Sequence, residues 1–185
     1  MANFTIEGRA KAIGDIQRNF MYEVSIPNIG DILSDYNDEE PMVIRARTAV
    51  IPGRTNEPIE SVFMGMKQQF PGKETFAHTF EVQYEESEDQ FVAKWLYAWK
   101  EQIFTVNPDA ESAGASQAAA KRDRQATDLF LKMYKYDGSL MQQAIRFYNA
   151  WPAAVADVSM DYTANESVKY SVTFEYDFWT LVQVA

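Results

Sequence analysis

TFAHTFEVQY (residues 75–84) is followed, after two acidic residues, by SEDQFVAKWLYAWKEQIF (residues 87–104), and these two stretches decide the fold class. In the first, Phe76, His78, Phe80, Val82 and Tyr84 alternate with Thr75, Ala77, Thr79, Glu81 and Gln83. A period of two places one row on a buried sheet face and the other toward water. In the second the period changes. Phe91, Trp95, Trp99 and Ile103 recur every four residues, and Val92, Leu96 and Phe104 widen the stripe. That is an amphipathic helix, and docking on a sheet accounts for its two tryptophans more simply than an aromatic ligand face does. Ser87 and Gln90 have the spacing of a capping box, and Glu88 and Asp89 suit the first turn. With no cysteine and no second histidine in the chain, His78 reads as a satisfied core or interface histidine.

Strand patterns extend toward both ends. On the N-terminal side, residues 7–18 form a short polar helical candidate and residues 19–26 a strand, ended by Pro27-Asn28-Ile29-Gly30. Residues 31–40 hold five carboxylates in ten positions, a solvated loop whose spacing does not match a calcium loop. Residues 42–50 read as a second strand, broken by Pro52-Gly53. Residues 57–72 are irregular: Val62-Phe63-Met64-Gly65-Met66 puts large apolar side chains on both strand faces. Such a segment is covered on both sides, and Gly65 marks a bulge, a hairpin bend or a close backbone approach.

On the C-terminal side, residues 107–127 are rich in Ala, Ser, Gly and Gln, a mobile loop or a surface helix with a basic island at Lys121, Arg122 and Arg124. Residues 128–136 and 140–150 form a hairpin about Asp137-Gly138, and Trp151-Pro152 ends it. A strand over 155–162 and a long closing strand over 168–181 follow. In the latter Val168, Tyr170, Val172, Phe174, Tyr176 and Phe178 share one face. The sum is mainly β: an antiparallel sandwich or partly closed barrel of about seven or eight strands with one main helix packed against it. The length suits a single domain, residues 1–185.

Composition excludes much else. Seventeen basic against 27 acidic side chains leave a net charge of −10. A basic nucleic-acid surface is therefore not expected, since phosphate neutralisation supplies most of such affinity. Zero cysteines exclude disulfides, thiolate metal sites and a Cys nucleophile, and one histidine excludes a multi-histidine metal centre. The start, MANFTIEGRAKAIGD, lacks the apolar run of a secretory signal, and no stretch approaches a membrane span. There is no nucleophile elbow, phosphate loop or dinucleotide fingerprint. Adjacent carboxylates such as Glu85/Glu86 are weak evidence in an acidic chain. No enzyme, metal or cofactor is expected. An apolar hairpin is costly to expose, and its remedy is another subunit.

Four stretches resemble the tail tube proteins of contractile-tailed bacteriophages: NFMYEVSI (19–26), ARTAVIPG (46–53), residues 76–84 with the Trp-bearing helix, and the C-terminal series. That series is Ala150-Trp151-Pro152, then residues 157–162, then VTFEYDFW (172–179), and it is the most specific part. The resemblance spans about residues 10–182 and is weakest at 31–40 and 107–127. It implies a long protruding hairpin at about 53–74 and hexameric rings stacked into a hollow tube. It further implies a surrounding sheath, baseplate and tail-terminator partners, and tape-measure protein and DNA in the lumen without specific binding. Location would be the virion, after assembly in the host cytoplasm, with no membrane partner. The tubes of R-type bacteriocins, extracellular injection devices and type VI secretion needles share this fold and stand as the alternative. A monomeric binding module, hiding residues 57–72 internally, is the reading outside that group. The family has no catalytic residues to carry over. On this resemblance, Val62, Phe63, Met64, Met66 and Phe70 are expected in intersubunit contact, and Lys121, Arg122 and Arg124 at a sheath or ring–ring contact. An acidic wall would let DNA slide without Lys–phosphate brakes.

Overall fold

The computed structural model describes residues 17–31, 33, 40–103, 126–161, 163 and 166–183. Nine strands occur among them: β1 (Tyr22–Ser25), β2 (Ala46–Ala49), β3 (Arg54–Phe63), β4 (Met66–Phe76), β5 (Thr79–Glu85), β6 (Thr127–Met133), β7 (Gln143–Val155), β8 (Lys169–Glu175) and β9 (Phe178–Gln183). Two α-helices join them, α1 (Glu40–Arg45) and α2 (Phe91–Ile103), with a 3-10 turn at Ile29–Asp31. The candidate helix at 7–18, the acidic run and the Ala-rich segment lie wholly or mostly outside the described residues.

Every strand pairing is antiparallel. Seven strands follow the order β1-β6-β7-β8-β5-β2, with β9 also paired to β7, while β3 and β4 form a separate ribbon. The barrel is open, since β1 and β2 end the path without pairing to each other. β7 is the corner. Its first half pairs with β6 and β9, and from Trp151 onward it pairs with β8. Trp151-Pro152 therefore does not end the strand, as its sequence suggested. Pro152 sits instead at a register shift where β7 changes sheets, a place where a missing N–H is tolerated. Residues 156–161 are not a strand.

The closing strand is also divided. The apolar row holds from Val172 through Tyr176, then Tyr176-Asp177 breaks the ladder and inverts the alternation. Phe178 turns outward and stacks on Tyr148 at 4.5 Å, and Trp179 takes its place against the core. The core itself is aromatic. Phe80 stacks on Phe147 at 4.5 Å, Phe147 meets Tyr176 edge-on at 5.0 Å, and Val24, Leu129, Leu131 and Val172 fill the remainder.

Residues 42–45 are helix rather than strand. The supposed strand face combined Val43 with Arg45 and Arg47, which no half-buried sheet satisfies. As helix, Met42 is buried, while Arg45 pairs with Asp89 at 3.4 Å and lies over the Phe91 ring at 4.9 Å. Pro41 falls in the first turn, where its missing N–H costs nothing.

Helix α2 docks through Val92, Trp95, Leu96 and Trp99, as its periodicity predicts. Its start differs. The Ser87–Gln90 box does not form; Gln90 adopts φ 56°, and the helix begins at Phe91. Glu86 caps it from outside, its two carboxylate oxygens accepting the N–H groups of Val92 at 3.1 Å and Ala93 at 2.8 Å. Asp89 accepts the Phe91 N–H at 3.2 Å. The Ser87 hydroxyl donates to Asp89 as well, and chiefly this bond holds the Asp89 carboxyl below its usual range. A carboxylate on two orphan N–H groups at the positive end of a helix dipole is worth about 1–2 kcal/mol. Glu86→Ala is expected to lower unfolding stability by that amount in urea titrations, and an unchanged midpoint would show the cap to be idle.

Candidate assembly hairpin

β3 and β4 leave the barrel as a two-stranded ribbon. Its tip is Met64-Gly65, with φ of 48° and 78°, the two positive values of a two-residue type I′ reversal. Glycine supplies one of these without strain, whereas Met64 accepts a conformation that costs an L-residue energy. The tip explains the irregular reading of residues 57–72. Once the reversal is placed between Phe63 and Met66, the alternation is clean. Ile59 pairs with Phe70, Ser61 with Gln68 and Phe63 with Met66, all on one face. Pro58 pairs with Pro71, Glu60 with Gln69 and Val62 with Lys67 on the other. The ribbon is amphipathic: Ile59, Phe63, Met66 and Phe70 form an apolar face. On the opposite face Lys67 pairs with Glu60 at 2.7 Å and Gln69 donates to Glu60 at 3.4 Å.

All ten residues of β3 are exposed, and in β4 only Gly72 and Phe76 are half-buried. Of the five residues singled out by sequence, Phe63, Met66 and Phe70 share the apolar face, Met64 is the tip, and Val62 lies on the polar face. They are 50–85 % exposed. Ile59 belongs with them and was missed, because its place on the face is legible only once the turn is located. Lys121, Arg122 and Arg124 lie outside the described residues.

The middle of the ribbon is bulged, with Glu57 facing Gly72 and Lys73 between the Asn56–Glu74 and Pro58–Pro71 pairs. Gly72 is required there: a Cβ would stand 2.2 Å from the Glu57 carbonyl oxygen.

At the root, Arg54 pairs with Phe76. The strand expected over 75–84 breaks just beyond, at His78, with φ 58°. His78 is exposed rather than in the core. It is nonetheless satisfied: Nδ1 donates to the Tyr176 carbonyl at 3.1 Å, and the His78 carbonyl accepts the Tyr176 N–H at 3.1 Å. These bonds hold the kink between β4 and β5. Burial pushes the neighbouring Tyr176 phenol above its ordinary pKa, with the His78 backbone and the Arg54 charge pulling the other way. Among the described residues no group of three His, Asp or Glu side chains is placed to hold a metal ion, and no helix is long and apolar enough to cross a membrane.

The fold is thus an open antiparallel barrel with one docked helix and an exposed amphipathic ribbon that pairs only within itself among the described strands. Residues 16–182 match the family model described as phage tail tube protein. The chain belongs to that family, and it is a structural subunit of a tail tube. A search of curated protein sequences finds no match to it.

Among solved structures, the fold is similar to a chain of the extended sheath–tube complex of an extracellular contractile injection system, PVC. The identity is 15 % and the TM-score 0.63, covering 97 % of this chain and 99 % of that one. The tube-terminating cap of the anti-feeding prophage is similar at 14 % identity and TM-score 0.64, over 92 % and 93 % of the two chains. The SPP1 tail tube is similar at 11 % identity and TM-score 0.50, over 91 % and 80 %.

Proposed function

We propose that the subunit forms hexameric rings that stack into the hollow tube of a contractile phage tail, with β3–β4 as the element that joins neighbours. The observation that carries this is the amphipathic ribbon. Four large apolar side chains stand in water on one face, and each would gain about 1.5–3 kcal/mol on full burial. Laid side by side, ribbons from successive subunits pair their open edges and turn the apolar face onto the barrels. The polar face then lines the channel. In that wall Lys67 faces Glu60 at 2.7 Å, so this pair adds no net positive charge to the polar face. A chain of net charge −10 supports passage of DNA without specific binding.

The remaining partners follow from the same reading: a sheath outside, baseplate and terminator proteins at the ends, and tape-measure protein in the lumen. The subunit has no catalytic role, assembles in the host cytoplasm and functions in the virion. Lys121, Arg122 and Arg124 are proposed for a sheath or ring–ring contact.

Electron microscopy of the purified protein over a concentration series tests the proposal. Rings or tubes with sixfold averages are expected. Monodisperse monomers at every concentration, or a channel lined mainly by Lys and Arg, would overturn it.

A further inference from the structure

We infer that Arg54 is a positioning residue that fixes the angle of the ribbon on the barrel before subunits meet. This rests on the reading of β3–β4 as the joining element. The ribbon is a lever. Ten residues of β3 reach about 30 Å, so a swing of roughly 10° at the root moves the tip about 5 Å, a whole strand spacing. Pairing with a neighbouring ribbon tolerates no such error. Yet the connections at the root are irregular, through residues 50–53 on one side and the left-handed His78 on the other.

Arg54 bridges them. Its guanidinium lies 3.8 Å from the centroid of the Trp179 indole and 5.2 Å from that of Phe76. Nη2 donates to the Trp179 carbonyl at 2.6 Å, and Nη1 faces Glu74 at 3.5 Å. One planar group thus ties β3, β4 and β9 together. Trp179 is itself registered opposite Phe147, which is fully buried, so the tie ends in the core. Stacking and forked donation from one plane are properties of arginine that lysine lacks. The group is partly exposed, so its contribution to barrel stability is small; its value lies in restricting orientation.

The chain contains no cysteine, so Gln68→Cys on β4 and Gln143→Cys on β7 give two unique spin-label positions. A pulsed-EPR distance distribution is measured on the labelled, unassembled subunit, and the melting curve and the critical concentration for tubes are measured on the cysteine-free chain. With Arg54 the distribution is narrow. Arg54→Ala and Arg54→Lys broaden it and leave the melting curve in place. If the competent orientation falls to a tenth of the population, the critical concentration rises about tenfold. A narrow distribution in both variants, or a broad one with Arg54 present, overturns the inference. The distance readout precedes assembly and so is independent of whether β3–β4 builds the ring. Failure of that broader reading would show instead as tubes formed without the ribbon.

Discussion

Deletion of residues 58–70 leaves a folded, soluble subunit that forms no tubes. The expectation follows from the separation of the ribbon from the barrel. Every β3 residue that the deletion removes is exposed, and the ribbon pairs only within itself among the described strands. The barrel core draws on β1, β5, β6, β7, β8 and α2, none of which the deletion touches. Removing the segment therefore discards exposed apolar surface without opening a cavity. What is lost is Ile59, Phe63, Met66 and Phe70, together with the edge that would pair with a neighbour. Circular dichroism and melting should match the intact protein, while sedimentation and electron microscopy show only monomer. Normal tubes from the deleted protein would place the joining surface elsewhere on the subunit.

Trp99→Ala is expected to have the largest effect on the subunit alone. Trp99 is 0 % exposed, meets Trp95 edge-on at 5.2 Å and lies 5.9 Å from Phe174 of β8. It is one of the four buried residues through which α2 engages the core. Truncating a buried tryptophan costs about 3–5 kcal/mol, against a total stability of about 5–15 kcal/mol for a domain. Urea unfolding should show a midpoint reduced by about a fifth or more, or a subunit already unfolded in buffer. A loss below about 1 kcal/mol would mean that the surroundings collapse onto the vacated volume, and that the helix is held by its other contacts.

These two experiments separate assembly from folding, and the sequence shows why the two can be separated. The row Phe80, Val82, Tyr84 and the stripe Val92, Trp95, Leu96, Trp99 are both legible without coordinates, because burial on one face imposes a period on the chain. The Asp137-Gly138 reversal is legible for a local reason, since Gly138 takes φ 79°. At Met64-Gly65 the sequence left a hairpin bend as one of three readings of Gly65, because methionine is not a turn residue. Its location changes the meaning of residues 57–72 from a segment apolar on both faces to an amphipathic ribbon. Residues 42–45 were misread because a six-residue helix is too short to express a period against an adjacent strand. Glu86 displaced Ser87 as the cap of α2 for a tertiary reason. The chain leaving β5 carries the carboxylate back over the helix end, a path that spacing does not encode.

By itself, then, the sequence determined the class of the molecule. It specified an antiparallel β body with one docked helix, a composition poor in basic residues, and motifs that place it among tail tube proteins. Those properties depend on composition and on periods of a few residues, which the chain carries locally. Only the tertiary structure decided where the sheet turns its corner, at Pro152. It alone decided that the barrel stays open between β1 and β2, and that Arg54 meets Trp179 across 125 positions of sequence. Contacts at such separation arise from how strands are ordered in space, and no local pattern contains that order.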